Sequence, residues 1–519
     1  MSTAQLEWQQ YRLFPYEREL ARREVARAFG SPADINGEPV LVPVNGNAST
    51  KIKRLTYFRG GVLPTGEAMQ TDQARLERAS AQRRTQGTRY SAHGLHDYKG
   101  KFNPQVVRAI GNILGLEQGD TLFDPFCGSG TTLLEAAHNG WNAVGVDLNP
   151  LAVFIANAKV ASFHADPHKL GATTDRVLAS LATASEGADF TTGWSEKRLR
   201  AVGGSGWRDR LPNLEYLEKW FPIAVLAQYA AILRAIDTHV AEGLRPVFLA
   251  IASDLARDAS LQDPGDLRIR RRKDPAPNYP LLPWFVDAVE TRVARVIAAR
   301  SVIGRPVGTQ QAVVADNRAG LRGSLPRSRR SALFDAAITS PPYATALPYI
   351  DTQRLSLCLL GLLDAEAIAK ADRELTGSRE ITTSERKRLE AVMADSNLPP
   401  AALDVCRSLL ARVEETGTAG FRRRNTPALL FRYLHDMSAA FAEVLTTVRE
   451  GATFALVVGR NRTNIGGVET IIDTPRLLAD VAEHRGWIVD EVLELDAYQR
   501  FSMHQRNSIR TEALVMLRR

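Results

Sequence analysis

The stretch "DTLFDPFCGSGTTLLEAAHNGWNAVGVDLNP" (residues 120–150) decides how the chain folds. An apolar run ends on Asp124, and a turn containing Gly128 and Gly130 follows. From Thr131 the apolar spacing becomes helical, Gly140 closes that helix, and a second apolar run ends on Asp147. Strand, glycine turn, helix and strand in this order make one βαβ unit. Glycines between a strand and a helix let backbone amides at the helix N-terminus come close to a ligand. The lysine of a GxxxxGK[ST] loop is missing. The third glycine of a dinucleotide fingerprint is also missing, since Leu133 follows Thr131 and Thr132, so both phosphate-binding readings fall. Asp124 beside the turn would repel a phosphate and welcome an ammonium or sulfonium group.

Working outward, "HDYKGKFNPQVVRAI" (96–110) predicts a helix starting at Pro104 with Asn103 as its cap. Downstream, the next strand of the same type is "AVVADNR" (312–318), and "ALFDAAI" (332–338) leads straight into "TSPPY" (339–343). Strands over 453–459, "WIVDEVLEL" and "EALVMLRR" complete a set of seven. The pattern divides the chain into a helical N-terminal extension (1–90), a half-domain (91–160), a helical insertion (161–305), a second half-domain (306–351), a second helical insertion (352–428) and C-terminal strands (429–519). Asp147, at a strand end, can accept both hydroxyls of a ribose. Asp316, closing "AVVAD", can accept from an adenine amine. A cationic amino acid, a ribose and an adenine joined at sulfur make S-adenosylmethionine.

"DPFCGSGTTLLEA", "VGVDLNP", "VVADNR" and "TSPPY" together resemble the successive motifs of the amino-directed DNA methyltransferases, which methylate the N4 amine of cytosine or the N6 amine of adenine. The resemblance implies an α/β fold, a doubly wound seven-stranded Rossmann-like methyltransferase sheet with mainly helical insertions. It implies a cofactor site formed by Phe102, Pro104, Asp124, Pro125, Phe126, Gly128, Ser129, Gly130, Thr131, Asp147, Leu148, Asp316 and Asn317, with S-adenosylmethionine as cofactor. Catalysis falls to Ser340, Pro341, Pro342 and Tyr343. An exocyclic amine is a poor nucleophile because its lone pair is delocalised into the ring. Ser340 Oγ and the Pro341 carbonyl can each accept one of its N–H bonds, while the prolines hold φ near −65° and keep both acceptors in place. Tyr343 can stack on a base swung out of the duplex. Ser at the first motif position accompanies N4-cytosine enzymes in this family, and Asp or Asn accompanies N6-adenine enzymes, so Ser340 favours cytosine. The motif order and the long insertion after "VGVD" depart from the usual serine-type arrangement, which leaves target recognition to residues 161–305, 352–428 or both.

A net charge of +8 in 519 residues favours a polyanionic partner, here double-stranded DNA, with a restriction or phage-defence protein as a further partner implied by the family. Basic runs at 268–273, 327–330 and 422–424 suit phosphate contacts. No apolar run approaches the ~20 residues of a membrane span, and no secretory signal opens the chain, so a cytoplasmic protein is expected. Cys127, Cys358 and Cys406 are scattered, and His93 and His96 lack a metal-spaced partner, so no metal is expected. Cys127 has no neighbouring base and reads as packing. The alternatives are an N6-adenine enzyme, an RNA amino-methyltransferase, and an inactive DNA-binding subunit of a modification complex.

Overall fold

The computed structural model describes residues 2–30, 35, 37–44, 46–80, 87–185, 194–263, 265–266, 269–273, 279–344, 349–417, 420–496 and 511–519. Arg268 of the first basic run, and the stretch 345–348 just after "SPPYA", lie outside the described residues.

Residues 1–90, expected to be helical, instead contain a four-stranded antiparallel sheet made of β1 (Thr3–Trp8), β2 (Val40–Pro43), β3 (Phe58–Val62) and β4 (Ala68–Gln70) in the order β2-β1-β3-β4. The helix Pro15–Phe29 packs beside it. "TAQLEW" alternates polar and apolar residues, and its Ala4 and Leu6 are buried as a strand's period of two requires.

The main sheet contains β5 (Thr121–Asp124), β6 (Asn142–Asp147), β7 (Gln310–Val314), β8 (Phe334–Thr339), β9 (Val448–Gly459), β12 (Ile488–Asp496) and β13 (Thr511–Arg518). Between β9 and β12 comes a separate hairpin, β10 (Asn461–Ile465) and β11 (Val468–Ile472). The seven strands run in the order β12-β13-β9-β8-β5-β6-β7. β7, β6, β5, β8 and β9 are mutually parallel, and β13 lies antiparallel between β9 and β12. This is the doubly wound Rossmann-like sheet. Its parallel strands need cover on both faces. Leu122 packs in one core with Ala143, Ala336 and Ala455, and Phe123 packs in the other with Val144, Phe334 and Phe454.

The order of connection reverses between β5 and β8, so the crevice at their carboxyl ends is where such a sheet binds ligands. Between β6 and β7 the described residues form helices, including Pro167–Ser185, Ile223–His239, Arg245–Asp254 and Leu281–Ile303, that share a third core. Between β8 and β9 come further helices, ending in the long Phe421–Thr447. Among the described residues no helix is long and apolar enough to cross a membrane.

Candidate active site

A cavity of about 310 Å³ opens at the carboxyl ends of β5, β6, β8 and β9. Sites for small ligands run from ~300 to ~1,000 Å³. Ser340, Pro341, Pro342 and Tyr343 line it on one side, and Phe102, Phe126, Gly128, Asp147, Leu148 and Asn317 on the other. Asp124, Ser129 and Thr131 line a small adjoining recess that Phe102, Gly128 and Ser340 also reach. Pro104, Pro125, Gly130 and Asp316 line neither space.

Each exception has a physical reason. Pro104 opens the helix Pro104–Leu114, whose cap Asn103 accepts from Gln105 N at 3.0 Å. Pro125 gives its carbonyl to the Asn317 side chain. Gly130 serves packing rather than ligand access, because a Cβ there would lie 2.6 Å from Ala156 Cβ. Asp316 is held by Arg318 through bonds of 2.8 Å to both of its oxygens, which leaves Ala315 and Asn317 to face the cavity.

The two strand ends are tied together by one contact. Thr339 Oγ1 donates to Asp124 Oδ1 at 2.6 Å, so the last residue of β8 fixes the carboxylate ending β5. Asp124 also accepts from Phe126 N at 3.1 Å, and burial pushes its carboxyl up to about 6. Asp147 accepts from the backbone N–H groups of Gly128 (3.0 Å) and Asn149 (2.8 Å), and burial likewise pushes it up to about 6. Both therefore favour the carboxylate form at neutral pH.

Several contributors carried no recognised signal in the sequence. Lys159 is buried with its Nζ on Ser129 O (2.9 Å) and Oγ (3.0 Å), beneath the glycine turn, and burial lowers it to about 7. A single lysine in the apolar helix "PLAVFIANAKVASFH" was the available clue. Tyr16, Tyr98, Tyr349, Leu375, Thr376 and Glu512 also line the cavity and come from elements far apart in the chain.

The residues on either side of the segment 95–103, which brings Tyr98, Lys101 and Phe102 to the cavity, are anchored to one carboxylate. Glu135 accepts from Tyr90 OH (2.8 Å), His93 Nε2 (2.8 Å), His138 Nδ1 (3.0 Å) and Arg108 Nε (3.0 Å), all of them buried. Burial would raise this carboxyl, but Arg108 and His138 outweigh it and hold it well below the usual range. His93, Glu135 and His138 are also the cluster of described residues close enough to hold a metal ion. The guanidinium of Arg108 already supplies the positive charge that this carboxylate needs.

Residues 95–185 match the sequence profile of the family described as "UPF0020: RMKL-like, methyltransferase domain". The chain is 25% identical to the Type II methyltransferase M.MvaI of Kocuria varians, over 56% of this chain and 63% of that protein. It is 22% identical to the Type II methyltransferase M.BsoBI of Geobacillus stearothermophilus, over 76% of this chain and 79% of that one. With M.MjaII of Methanocaldococcus jannaschii, another Type II methyltransferase, it shares 42% identity over 14% of this chain and 13% of that one. The chain is related to the amino-methyltransferases. It spans less than two thirds of the first of these relatives.

The methyl donor of the amino-methyltransferases is S-adenosylmethionine, and the residues present fit it. A Cβ on Gly128 would meet only Tyr98 Cε1, at 3.7 Å, so the missing side chain leaves open space toward the cavity. Asp147 keeps acceptor capacity beyond its two backbone donors. Phe126 and Leu148 supply apolar walls, and Asn317 a polar edge.

Proposed function

We propose that this protein is a site-specific DNA methyltransferase that transfers a methyl group from S-adenosylmethionine to the N4 amine of a cytosine swung out of the duplex. The observation that carries the reading is Ser340-Pro341-Pro342-Tyr343 at the end of β8, in one cavity with Gly128 and Asp147 and joined to the cofactor side through Thr339 and Asp124. The Type II methyltransferase relatives support DNA as the substrate.

When bound, the cofactor supplies an electrophilic methyl. The chain's own groups prepare the nucleophile. Ser340 Oγ and the Pro341 carbonyl accept the two amine N–H bonds and draw that nitrogen toward tetrahedral geometry. Pro341 and Pro342 fix the backbone so that neither acceptor has to reorganise. The Tyr343 ring offers a face to the base, and the apolar wall around Phe126 excludes water. The hydroxyl at position 340 favours cytosine over adenine on the family's pattern.

Target recognition falls to residues 161–305, to residues 352–428 or to both. Leu375 and Thr376 reach the cavity, and Gly377 packs so tightly that a Cβ would lie 3.1 Å from Pro342 Cβ. On the other side, a cleft of about 780 Å³ runs between residues 88–103 and Asp254–Arg295, sharing Lys101, Phe102 and Asn103 with the cavity. A restriction or defence context follows from the same reading.

The test is nucleoside mass spectrometry of DNA incubated with the protein and S-adenosylmethionine, beside Ser340→Ala. N4-methylcytosine that is lost in the variant is the expected result. N6-methyladenine would overturn the base assignment, and methylation confined to RNA would overturn the substrate class.

A further inference from the structure

Tyr343 is held at both ends. Its hydroxyl donates to Glu512 Oε1 at 2.6 Å, and its backbone N–H donates to the hydroxyl of Tyr349 at 3.3 Å. Glu512 lies 169 residues further along the chain, on β13, yet it lines the same cavity as Ser340 and Pro341. Its strand is clamped on both edges, with Glu512 opposite Gly459 of β9 and Leu495 of β12. The carboxylate therefore sits on a rigid base. Tight contact with Gly377, whose Cβ would fall 3.1 Å from the Tyr343 carbonyl, limits movement of the motif from the other side.

We propose that Glu512 is the positioning residue that sets the plane of the Tyr343 ring against the target base, so that base docking depends on β13 as well as on the "SPPY" turn. The inference rests on the base-methylation reading. A carboxylate accepts hydrogen bonds, and so do N3 and O2 of cytosine, which gives Glu512 no favourable direct contact with those ring atoms. Its effect passes through the phenol. Without that bond the ring could tilt about its side-chain torsions, and stacking would weaken equally for bound substrate and transition state. Such a loss raises KM and leaves kcat nearly unchanged.

Steady-state methylation of an oligonucleotide duplex by Glu512→Gln, Glu512→Ala, Tyr343→Phe and the double variant Tyr343→Phe/Glu512→Ala tests this, with calorimetric S-adenosylmethionine binding as the check on folding. Glu512→Gln retains an acceptor and stays within about threefold of wild type, whereas Glu512→Ala raises KM for DNA about tenfold, the scale of one hydrogen bond to a charged group. Tyr343→Phe, which keeps both ring and carboxylate, reproduces that rise, and the double variant is no worse than either single one. Additive losses, or a Glu512→Ala variant equal to wild type, would overturn the proposal. Glu512→Gln as damaged as Glu512→Ala, with the loss in kcat and dependent on pH, would overturn it in favour of proton transfer. Wild-type protein that methylates no DNA sinks the underlying reading instead, which separates the two failures.

Discussion

The two sides of the cavity are built differently. On the cofactor side, Phe102, Asp124, Phe126, Gly128, Asp147 and Leu148 fall within 47 residues of one another, on adjacent strands and one helix-leading segment, and Asn317 joins them from beyond β7. On the proposed substrate side, Ser340 and Tyr349 come from the segment after β8, Thr376, Val457 and Glu512 come from three further stretches, and Tyr16 joins them from the N-terminal extension. A site made mostly by one βαβ unit depends chiefly on local folding, with Asn317 and Thr339 as its distant supports. One assembled from distant stretches exists only when the whole sheet and its insertions are in place. The cofactor side should therefore tolerate damage elsewhere, and the substrate side should not.

The glycine turn gives the sharpest way to break this contrast. Gly130→Ala forces a Cβ against Ala156 at a backbone φ of +77°, and about 2–4 kcal/mol of stability is expected to go, read as a lower unfolding midpoint. Gly128→Ala meets only Tyr98, so its stability cost is about 1–2 kcal/mol, and its main effect is weaker S-adenosylmethionine binding, measured by calorimetry. Equal stability losses in the two variants would contradict the separate roles assigned to the glycines.

Asp147→Asn should be smaller in stability but clear in affinity. It keeps the shape and removes the charge-assisted acceptor, so S-adenosylmethionine binding should fall about 10–100-fold. Thr339→Val comes next, with about 1–2 kcal/mol lost by removing the donor to Asp124. The deficit should be larger at pH 8 than at pH 5, because the lost bond was made to the ionised carboxylate.

The smallest effect is the pH dependence of binding. Asp124 and Asp147 are both pushed up to about 6, above the ordinary 3.8, so the ligand-free fold favours their protonated forms. The stability they contribute is fully present below about 4 and is lost as pH rises through about 6. A cationic ligand reverses that preference. Affinity for S-adenosylmethionine should therefore climb as pH rises through 6 and level off above about 7, with protons released on binding near pH 6. Flat affinity from pH 5 to 8 would show that neither carboxylate meets the ligand.

The same contrast explains what the sequence made legible. Strand ends at Asp124 and Asp147, the helix capped by Asn103 and the turn at Ser340 all announce themselves in short windows, where propensity and period act locally. The pairing of Asp316 with Arg318 is not announced in the sequence, because a carboxylate after a strand looks alike whether it faces a ligand or an arginine two residues on. Glu512 and Tyr16 could not be found that way, since nothing near them in the chain records what lies across the cavity. Two other omissions were readable. "TAQLEW" alternates like a strand, and "NIGGVETII" has the Gly466-Gly467 pair that closes the β10–β11 hairpin.

The position of β13 between β9 and β12 also bears on how the protein is made. Of these three neighbouring strands, the central one leaves the ribosome last, so β9 offers an open hydrogen-bonding edge and β12 has no main-sheet partner until it arrives. Long-range insertion of this kind folds slowly and leaves sticky edges exposed meanwhile. In the nascent chain the βαβ unit with Asp124 and Asp147 can form early, while Glu512 reaches the cavity only once synthesis has passed that strand.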